Sequence, residues 1–417
     1  MISPVKSELF RESRIMSNEI ERVGVVGLGV MGFDIAFLYA MKGFHTAVFD
    51  ASPATMDSLE ERREQTIERL KKRSRITEVE IENVRTLLVR SPDLGGLARM
   101  DLVTEAVSEN ARTKLSVYRS LKAAAFTGLL TTNTSSVARA TLLADGVCDP
   151  KNFALTHFFN PVLHTQMVEV VKGDMEESQG KTMIGFLKGI GRQPVETRDI
   201  SGFVSNSILM IYAVMALRLL ECGARIEQVD QAARELELLP PLFSFDSWKP
   251  SIVEDVTRVM FEHRGDAFLR SSKLLARLAK HNPEFYVDRL PNPKIYDLAE
   301  AHGRSIDDES IKHALRASMI IAAARVAELG ESPATIDFIA AQGIKLPQPP
   351  LKEIDGIGAS TVLDELARTN RQLGNAPLAP PKILTAMSAE RQTFYKNDQP
   401  NPWLSAYTER ATTHARH

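Results

Sequence analysis

His157 and Glu169 occupy mirrored places in a stretch that reads as a β-hairpin, each six residues from Leu163. The first arm is Thr156-His157-Phe158-Phe159-Asn160-Pro161 and the second is Met167-Val168-Glu169-Val170-Val171. Side chains alternate along a strand, so Glu169 shares its face with Met167 and Val171. A carboxylate among apolar neighbours wants a partner, and a symmetric hairpin brings His157 to it. Such a pair can hold an imidazole in one tautomer and stabilise its cation, which equips a general base. From these residues alone a second reading stays open, with His157 a core histidine bonded to backbone and Glu169 a partly exposed strand residue.

The elements that must position this pair begin upstream. Val23-Gly24-Val25-Val26 reads as a strand, Gly27-Leu28-Gly29-Val30-Met31-Gly32 as a turn opening a helix to about Lys42, and Thr46-Ala47-Val48-Phe49-Asp50 as the next strand. Glycine spacing alone is weak, but the strand-turn-helix context makes it a dinucleotide loop. Gly27 would make the turn, Gly29 would admit a pyrophosphate and Gly32 would pack helix on strand. The free amides at the helix start would take the phosphates. Asp50 stands where a carboxylate accepts from ribose hydroxyls, and Ala51 and Ser52 follow it with no arginine, so NAD is favoured over NADP. Leu87 to Arg90, Asp101 to Val107 and Gly128 to Thr132 continue the sheet, and ligands gather at such polar strand ends. Ser135 reads equally as a helix cap or as a hydroxyl that meets a substrate. Asn206 lies on an apolar helical stripe with Phe203, Met210, Ala213 and Leu217, so its amide needs a partner, either an interhelical bond or a ligand.

Composition bounds the rest. At 417 residues, 44% hydrophobic and 25% charged, the chain reads as a globular protein of two or three domains. A formal charge of −2 gives no reason to expect nucleic acid or an anionic membrane. Cys148 and Cys222 are too few for a disulfide framework, which fits a reducing, cytoplasmic setting, and no metal site is expected. Residues 1–20 carry Glu8, Glu12 and Glu19 without an apolar core, so they read as an extension that is neither a secretory signal nor a typical transit peptide, and Met16 is an alternative start. Phe203 to Leu220 is interrupted by Ser205, Asn206, Ser207, Tyr212 and Arg218, and reads as a buried helix, not a membrane span.

The segments GLGVMG, DLVTEAVSEN, TNTSS, HFFNP with VEVVKG, and ISGFVSN occur in the order seen in the 3-hydroxyacyl-CoA dehydrogenase family, which the chain resembles over roughly residues 22 to 210. The resemblance implies an α/β Rossmann-type NAD-binding domain, with His157 as the catalytic base, Glu169 its partner, and Ser135 and Asn206 hydrogen bonding to the substrate. It implies that Gly27, Leu28, Gly29, Val30, Met31, Gly32, Asp50, Glu109, Lys114 and Asn160 hold NAD. By offset from Asp50, the places that touch the CoA nucleotide hold Thr66 and Arg73, seven residues apart and so on one helical face. The competing reading there is an exposed charged helix, given Arg62, Arg63, Arg69, Lys71 and Lys72.

Beyond Ser201 the chain repeats itself. Gly223 and Asp230 match Gly330 and Asp337, and Phe285-Tyr286 with Pro291-Asn292-Pro293 match Phe394-Tyr395 with Pro400-Asn401-Pro402. The resemblance makes these two all-α domains of the family's C-terminal type, an arrangement like that of multifunctional fatty-acid oxidation proteins. The expected organisation is an extension at 1–20, a NAD-binding domain at 21–199 and helical domains at 200–308 and 309–417. The second copy would cover the surface a dimer partner otherwise buries, compatible with a monomer. In the first copy Glu237 stands where the family has glycine and Ser207 where it commonly has arginine. The expected reaction is the NAD-dependent interconversion of 3-hydroxyacyl-CoA and 3-ketoacyl-CoA. The alternatives are an acyl carrier protein-bound substrate or a non-catalytic NAD-binding protein. A 3-hydroxyisobutyrate-type dehydrogenase would need a catalytic lysine in place of the His-Glu pair.

Overall fold

The computed structural model describes residues 20–301, 304–374 and 377–414. The expected extension therefore lies outside the described residues, apart from Ile20. The chain divides between Asp199 and Ile200 into two compact units.

The first unit is built on one eight-stranded sheet. In chain order its labelled elements are β1 (Arg22–Val26), α1 (Val30–Met41), β2 (His45–Phe49), α2 (Leu59–Lys71), α3 (Glu78–Leu87) and β3 (Leu88–Arg90). They continue with β4 (Leu102–Glu105), α4 (Ala111–Ala123), β5 (Leu129–Thr132), β6 (Phe153–Phe158), β7 (Met167–Val171), α5 (Glu177–Gly189) and β8 (Gln193–Glu196). The spatial order is β3-β2-β1-β4-β5-β6-β7-β8, parallel throughout except for the antiparallel β6–β7 pair. Strands of a parallel sheet are covered on both faces, and β1 after Arg22, β4 and β5 are buried at every position, the threonines and Glu105 at their ends included. Helix α1 is buried almost all round, and its Tyr39 ring packs edge-on against Phe158 and Phe186. The Tyr39 hydroxyl hydrogen bonds with Thr104 Oγ1 at 3.0 Å, and Thr104 Oγ1 with Thr131 Oγ1 at 2.9 Å, so the polar groups of this core satisfy one another.

The second unit contains two copies of one helical design. The first is α6 (Phe203–Glu221), α7 (Ile226–Glu235), α8 (Pro241–Trp248), α9 (Pro250–Arg264), α10 (Lys273–His281) and α11 (Pro293–Ala299). The second is α12 (Asp308–Glu328), α13 (Pro333–Gln342), α14 (Pro350–Ile357), α15 (Ala359–Leu373), α16 (Lys382–Glu390) and α17 (Trp403–His414). A two-stranded hairpin precedes the last helix of each copy. Asp230 accepts from the amides of Leu242 and Phe243 at 2.9 Å each and from the Tyr286 hydroxyl at 2.8 Å. Asp337 does the same for Leu351, Lys352 and Tyr395, at 2.8, 3.3 and 2.7 Å. Each aspartate thus satisfies orphan amides at a helix N-terminus and ties that helix to the hairpin. Asp246 and Asp355 grip the hairpin amides Phe285-Tyr286 and Phe394-Tyr395 in the same way. The central helices α6 and α12 pack against each other. Helix α6 is apolar and long enough to cross a membrane, yet 83% of that stretch is buried within the fold.

The copies differ at strained positions. Gly358, between α14 and α15, has φ +94°, and its counterpart Lys249 is forced to φ +64°. Glu237, which replaces the glycine of the family pattern, also sits at positive φ, +57°.

Candidate active site

The β6–β7 register pairs His157 directly with Glu169. His157 Nδ1 lies 2.8 Å from Glu169 Oε2, and Glu169 has no solvent-accessible surface. The return is tied internally, because the Thr165 hydroxyl donates to the carbonyls of Phe159 (2.7 Å) and Pro161 (3.0 Å). The Phe159 ring stands 5.4 Å from the imidazole. Asn133, after β5, accepts from the Phe158 amide at 3.0 Å and so fastens β6 to the neighbouring strand end. The sequence places Asn133 among the polar residues after β5 without giving it a role, and this contact supplies one.

The serine loop is held by a carboxylate. Glu109 Oε1 accepts from the hydroxyl of Thr134 (2.6 Å) and from the amides of Ser135 (2.8 Å) and Ser136 (2.7 Å). Burial would raise this carboxyl, but the Lys114 ammonium, the Thr134 hydroxyl and the serine amides outweigh it and hold it below the usual range. Lys114 lies 3.6 Å from Glu109 and 3.0 Å from Glu105, and it has no accessible surface. Ser135 itself is half-buried.

The glycine loop fits a dinucleotide. Gly27 has φ +89°, and a Cβ there would lie 2.7 Å from the Ala106 carbonyl, so only glycine makes this turn. A Cβ on Gly32 would collide with the Gly27 carbonyl. Gly29 faces open space, where a phosphate can approach the backbone. The Leu28 side chain is buried, so it offers a ligand only backbone, while Val30 is exposed and Met31 half-buried. Asp50 directly follows β2 and accepts from the amides of Leu28 (2.7 Å) and Ser52 (2.8 Å), which leaves lone pairs for ribose hydroxyls. Asn160, exposed, follows β6.

Helix α2 corrects two expectations. It ends at Lys71 because Ser74 takes φ +52° and the Arg73 and Arg75 amides turn back onto the Leu70 carbonyl. Arg73 therefore lies in a turn and shares no helical face with Thr66, which is buried. Arg62 is also no simple exposed charge. Its guanidinium donates to the carbonyls of Leu28 (2.6 Å) and Gly29 (3.1 Å) and lies 4.1 Å over the Phe33 ring. A cationic cluster forms where the turn after α2 meets the hairpin tip. Arg75 Nη1 is 2.6 Å from His164 Nδ1, and burial together with Arg75, Arg73 and Arg69 pushes the His164 imidazole below its ordinary pKa.

Asn206 lies half-buried on the first turn of α6, in the second unit. Beside it, Ser207 accepts from Arg264 Nη1 at 2.9 Å, so a guanidinium from α9 reaches the position where the family commonly has arginine. Among the described residues no His, Cys, Asp and Glu groups are arranged to hold a metal ion.

The chain is similar to known proteins in sequence and in fold. Residues 22–200 match the family described as 3-hydroxyacyl-CoA dehydrogenase, NAD binding domain, and residues 202–284 match 3-hydroxyacyl-CoA dehydrogenase, C-terminal domain. A 3-hydroxybutyryl-CoA dehydrogenase of Mycobacterium tuberculosis is 34% identical over 222 residues, 52% of this chain and 77% of that protein. The fatty acid oxidation complex subunit alpha of Pseudomonas syringae pv. tomato is 26% identical over 91% of this chain, which spans only 56% of that protein's length. The crystal structure of 3-hydroxybutyryl-CoA dehydrogenase from Escherichia coli shares the fold with a TM-score of 0.72, covering 89% of this chain and 98% of that one at 22% identity.

Proposed function

Because this chain belongs to the 3-hydroxyacyl-CoA dehydrogenase family, NAD-dependent oxidoreductases acting on CH–OH, we propose that it interconverts (3S)-3-hydroxyacyl-CoA and 3-ketoacyl-CoA with His157 as the base. The observation that carries the assignment of residues is the His157–Glu169 pair, directly opposed and 2.8 Å apart on a hairpin of the sheet that also carries the glycine loop. With Nδ1–H donated to Glu169, Nε2 is the basic nitrogen, and it takes the C3 hydroxyl proton. Glu169 stabilises the imidazolium that results. Ser135 holds the C3 oxygen and shares the charge that develops on it, and we assign Asn206 a hydrogen bond to the substrate. The glycine loop, the amides opening α1, Asp50 and Asn160 hold NAD, which when bound supplies the hydride acceptor. In the reverse direction His157 returns the proton to the ketone oxygen.

For the thioester carrier we assign Arg75, bonded to His164, and Arg69 and Arg73, whose charges act on the same imidazole, to the phosphates of CoA. For the two helical copies we propose a division at the Asp307 cap that opens α12, slightly before the expected limit of 308 and 309, and a monomer fits the packing of α6 on α12. The test follows NADH absorbance with 3-ketoacyl-CoA thioesters of increasing length, with His157→Gln as control. His157→Gln should bind NADH as the parent does and lose about 10²- to 10⁴-fold in turnover. Activity close to the parent would overturn the assignment of the base, and no turnover by the parent on any length would overturn the reaction.

A further inference from the structure

Arg62 is a cation beside the glycine loop that the steps above leave unused. It stands near the N-terminus of α2, where a positive charge opposes the helix dipole, so helix stability does not call for it. Other arginines of this region are matched with carboxylates, Arg63 and Arg85 with Glu64 and Arg90 with Glu60. Among the described residues Arg62 forms no such ion pair. Its guanidinium instead spans the loop, Nη1 donating to the Leu28 carbonyl at 2.6 Å and Nη2 to the Gly29 carbonyl at 3.1 Å. The buried Phe33 ring backs it at 4.1 Å. These bonds use only part of a guanidinium's fork of N–H donors, and the rest are left for a ligand.

We propose that Arg62 is a further cofactor-binding residue, whose guanidinium takes the phosphate on the adenosine side of NAD. Asp50, assigned above to the ribose hydroxyls, accepts from the amide of Leu28, and Arg62 donates to the carbonyl of that same residue. Carboxylate and guanidinium therefore flank one residue of the loop. Gly29, whose carbonyl holds the second guanidinium nitrogen, is the glycine that faces open space and admits a phosphate. Between the ribose carboxylate and the free amides opening α1, the group of a dinucleotide that comes next is its adenosine-side phosphate. A planar guanidinium with donors to spare suits two phosphate oxygens at once. The charge balance agrees with this. Burial lowers the pKa of Arg62, and Asp34 and Asp50 offset that only in part and from a distance, so an incoming phosphate supplies the counter-charge that the fold withholds.

The inference rests on the glycine loop holding NAD, so NADH binding by the parent is measured first, by fluorescence. Its absence would overturn the reading of the loop and this proposal together, whereas the outcomes below bear on Arg62 alone. AMP and adenosine are then titrated as competitors of bound NADH, and CoA by calorimetry, in the parent, Arg62→Met and Arg62→Gln. Methionine keeps the packing on Phe33 without the charge, and glutamine keeps a donor for the loop carbonyls. Both variants should bind NADH and AMP about tenfold to a hundredfold more weakly, the scale of a charge-assisted hydrogen bond, with adenosine within about threefold of the parent. An NADH affinity within about threefold of the parent in the folded variants would overturn the proposal, because no charged contact is worth so little in an enclosed site. An equal loss for adenosine would overturn it too, by making Arg62 a pin of α2 on α1, and so would a loss confined to CoA. Should Arg62→Met fail to fold, Arg62→Gln decides by the same criteria.

Discussion

Replacing Glu169 by glutamine isolates one charge at the catalytic pair. Glutamine keeps the size of the side chain and an oxygen that can accept from His157 Nδ1, 2.8 Å away in the parent. What disappears is the attraction between the carboxylate and the imidazolium formed during proton transfer. For charge centres about 4 Å apart in an effective dielectric near 20, that attraction is about 4 kcal/mol. The retained neutral hydrogen bond returns about 1 kcal/mol. The remaining deficit of about 3 kcal/mol corresponds to roughly a hundredfold in kcat. KM and NADH affinity should be nearly unchanged, because neither ligand gains the lost charge in its ground state. The assay is the rise of NADH absorbance at saturating NAD with varied 3-hydroxyacyl-CoA, the direction in which the imidazolium forms, backed by a thermal melt that should move by only a few degrees. Two results refute the reasoning: a kcat within threefold of the parent, or a fall in activity that merely follows a fall in melting temperature.

Three further outcomes are expected. Gly29→Ala should fold normally and weaken NADH binding, since its Cβ enters open space that the cofactor would use, whereas Gly32→Ala should lower the melting temperature because its Cβ meets the Gly27 carbonyl. Lys249→Gly should raise stability by about 1 kcal/mol by removing a side chain from a left-handed position that the second copy fills with Gly358, measured by denaturant unfolding. His164 should titrate below its ordinary value in the free protein and rise when CoA is added, because phosphates neutralise Arg75, Arg73 and Arg69. A group whose pKa rises on binding takes up a proton, so CoA affinity should increase as pH falls through the ordinary histidine range, and His164→Ala should flatten that dependence. NMR titration of the imidazole and calorimetry at several pH values check both statements.

The sheet and the hairpin were legible because both rest on local pattern. The glycine loop announces a strand, a turn and a helix within ten residues, and the equal spacing of His157 and Glu169 about Leu163 is a register written in the sequence. The helical repeat was legible because its paired aspartates and tyrosines recur at nearly constant offset, and the structure shows each doing the same bonding twice. What escaped were contacts made across the fold. Nothing in the spacing of Arg62 says that it reaches the carbonyls of a loop thirty-four residues upstream. The end of α2 at Lys71 was hidden for a different reason, since Ser74 at positive φ leaves little mark in sequence, and with it went the shared face of Thr66 and Arg73. Lys114 and Glu109 were singled out, but their enclosure with Glu105 depends on the packing of α4 against two strand ends.

The hairpin return, residues 159–166, acts as a length standard. Most loops on a protein tolerate an added or lost residue, because little depends on the distance they span. This one sets which residue of β7 faces His157, and a slip of one position would point Glu169 to the opposite side of the sheet and bring Val168 or Val170 opposite the imidazole. No side chain would have changed, yet the base would have lost its partner. Inserting a single residue at the tip is therefore as severe a test of the pair as deleting the carboxylate itself.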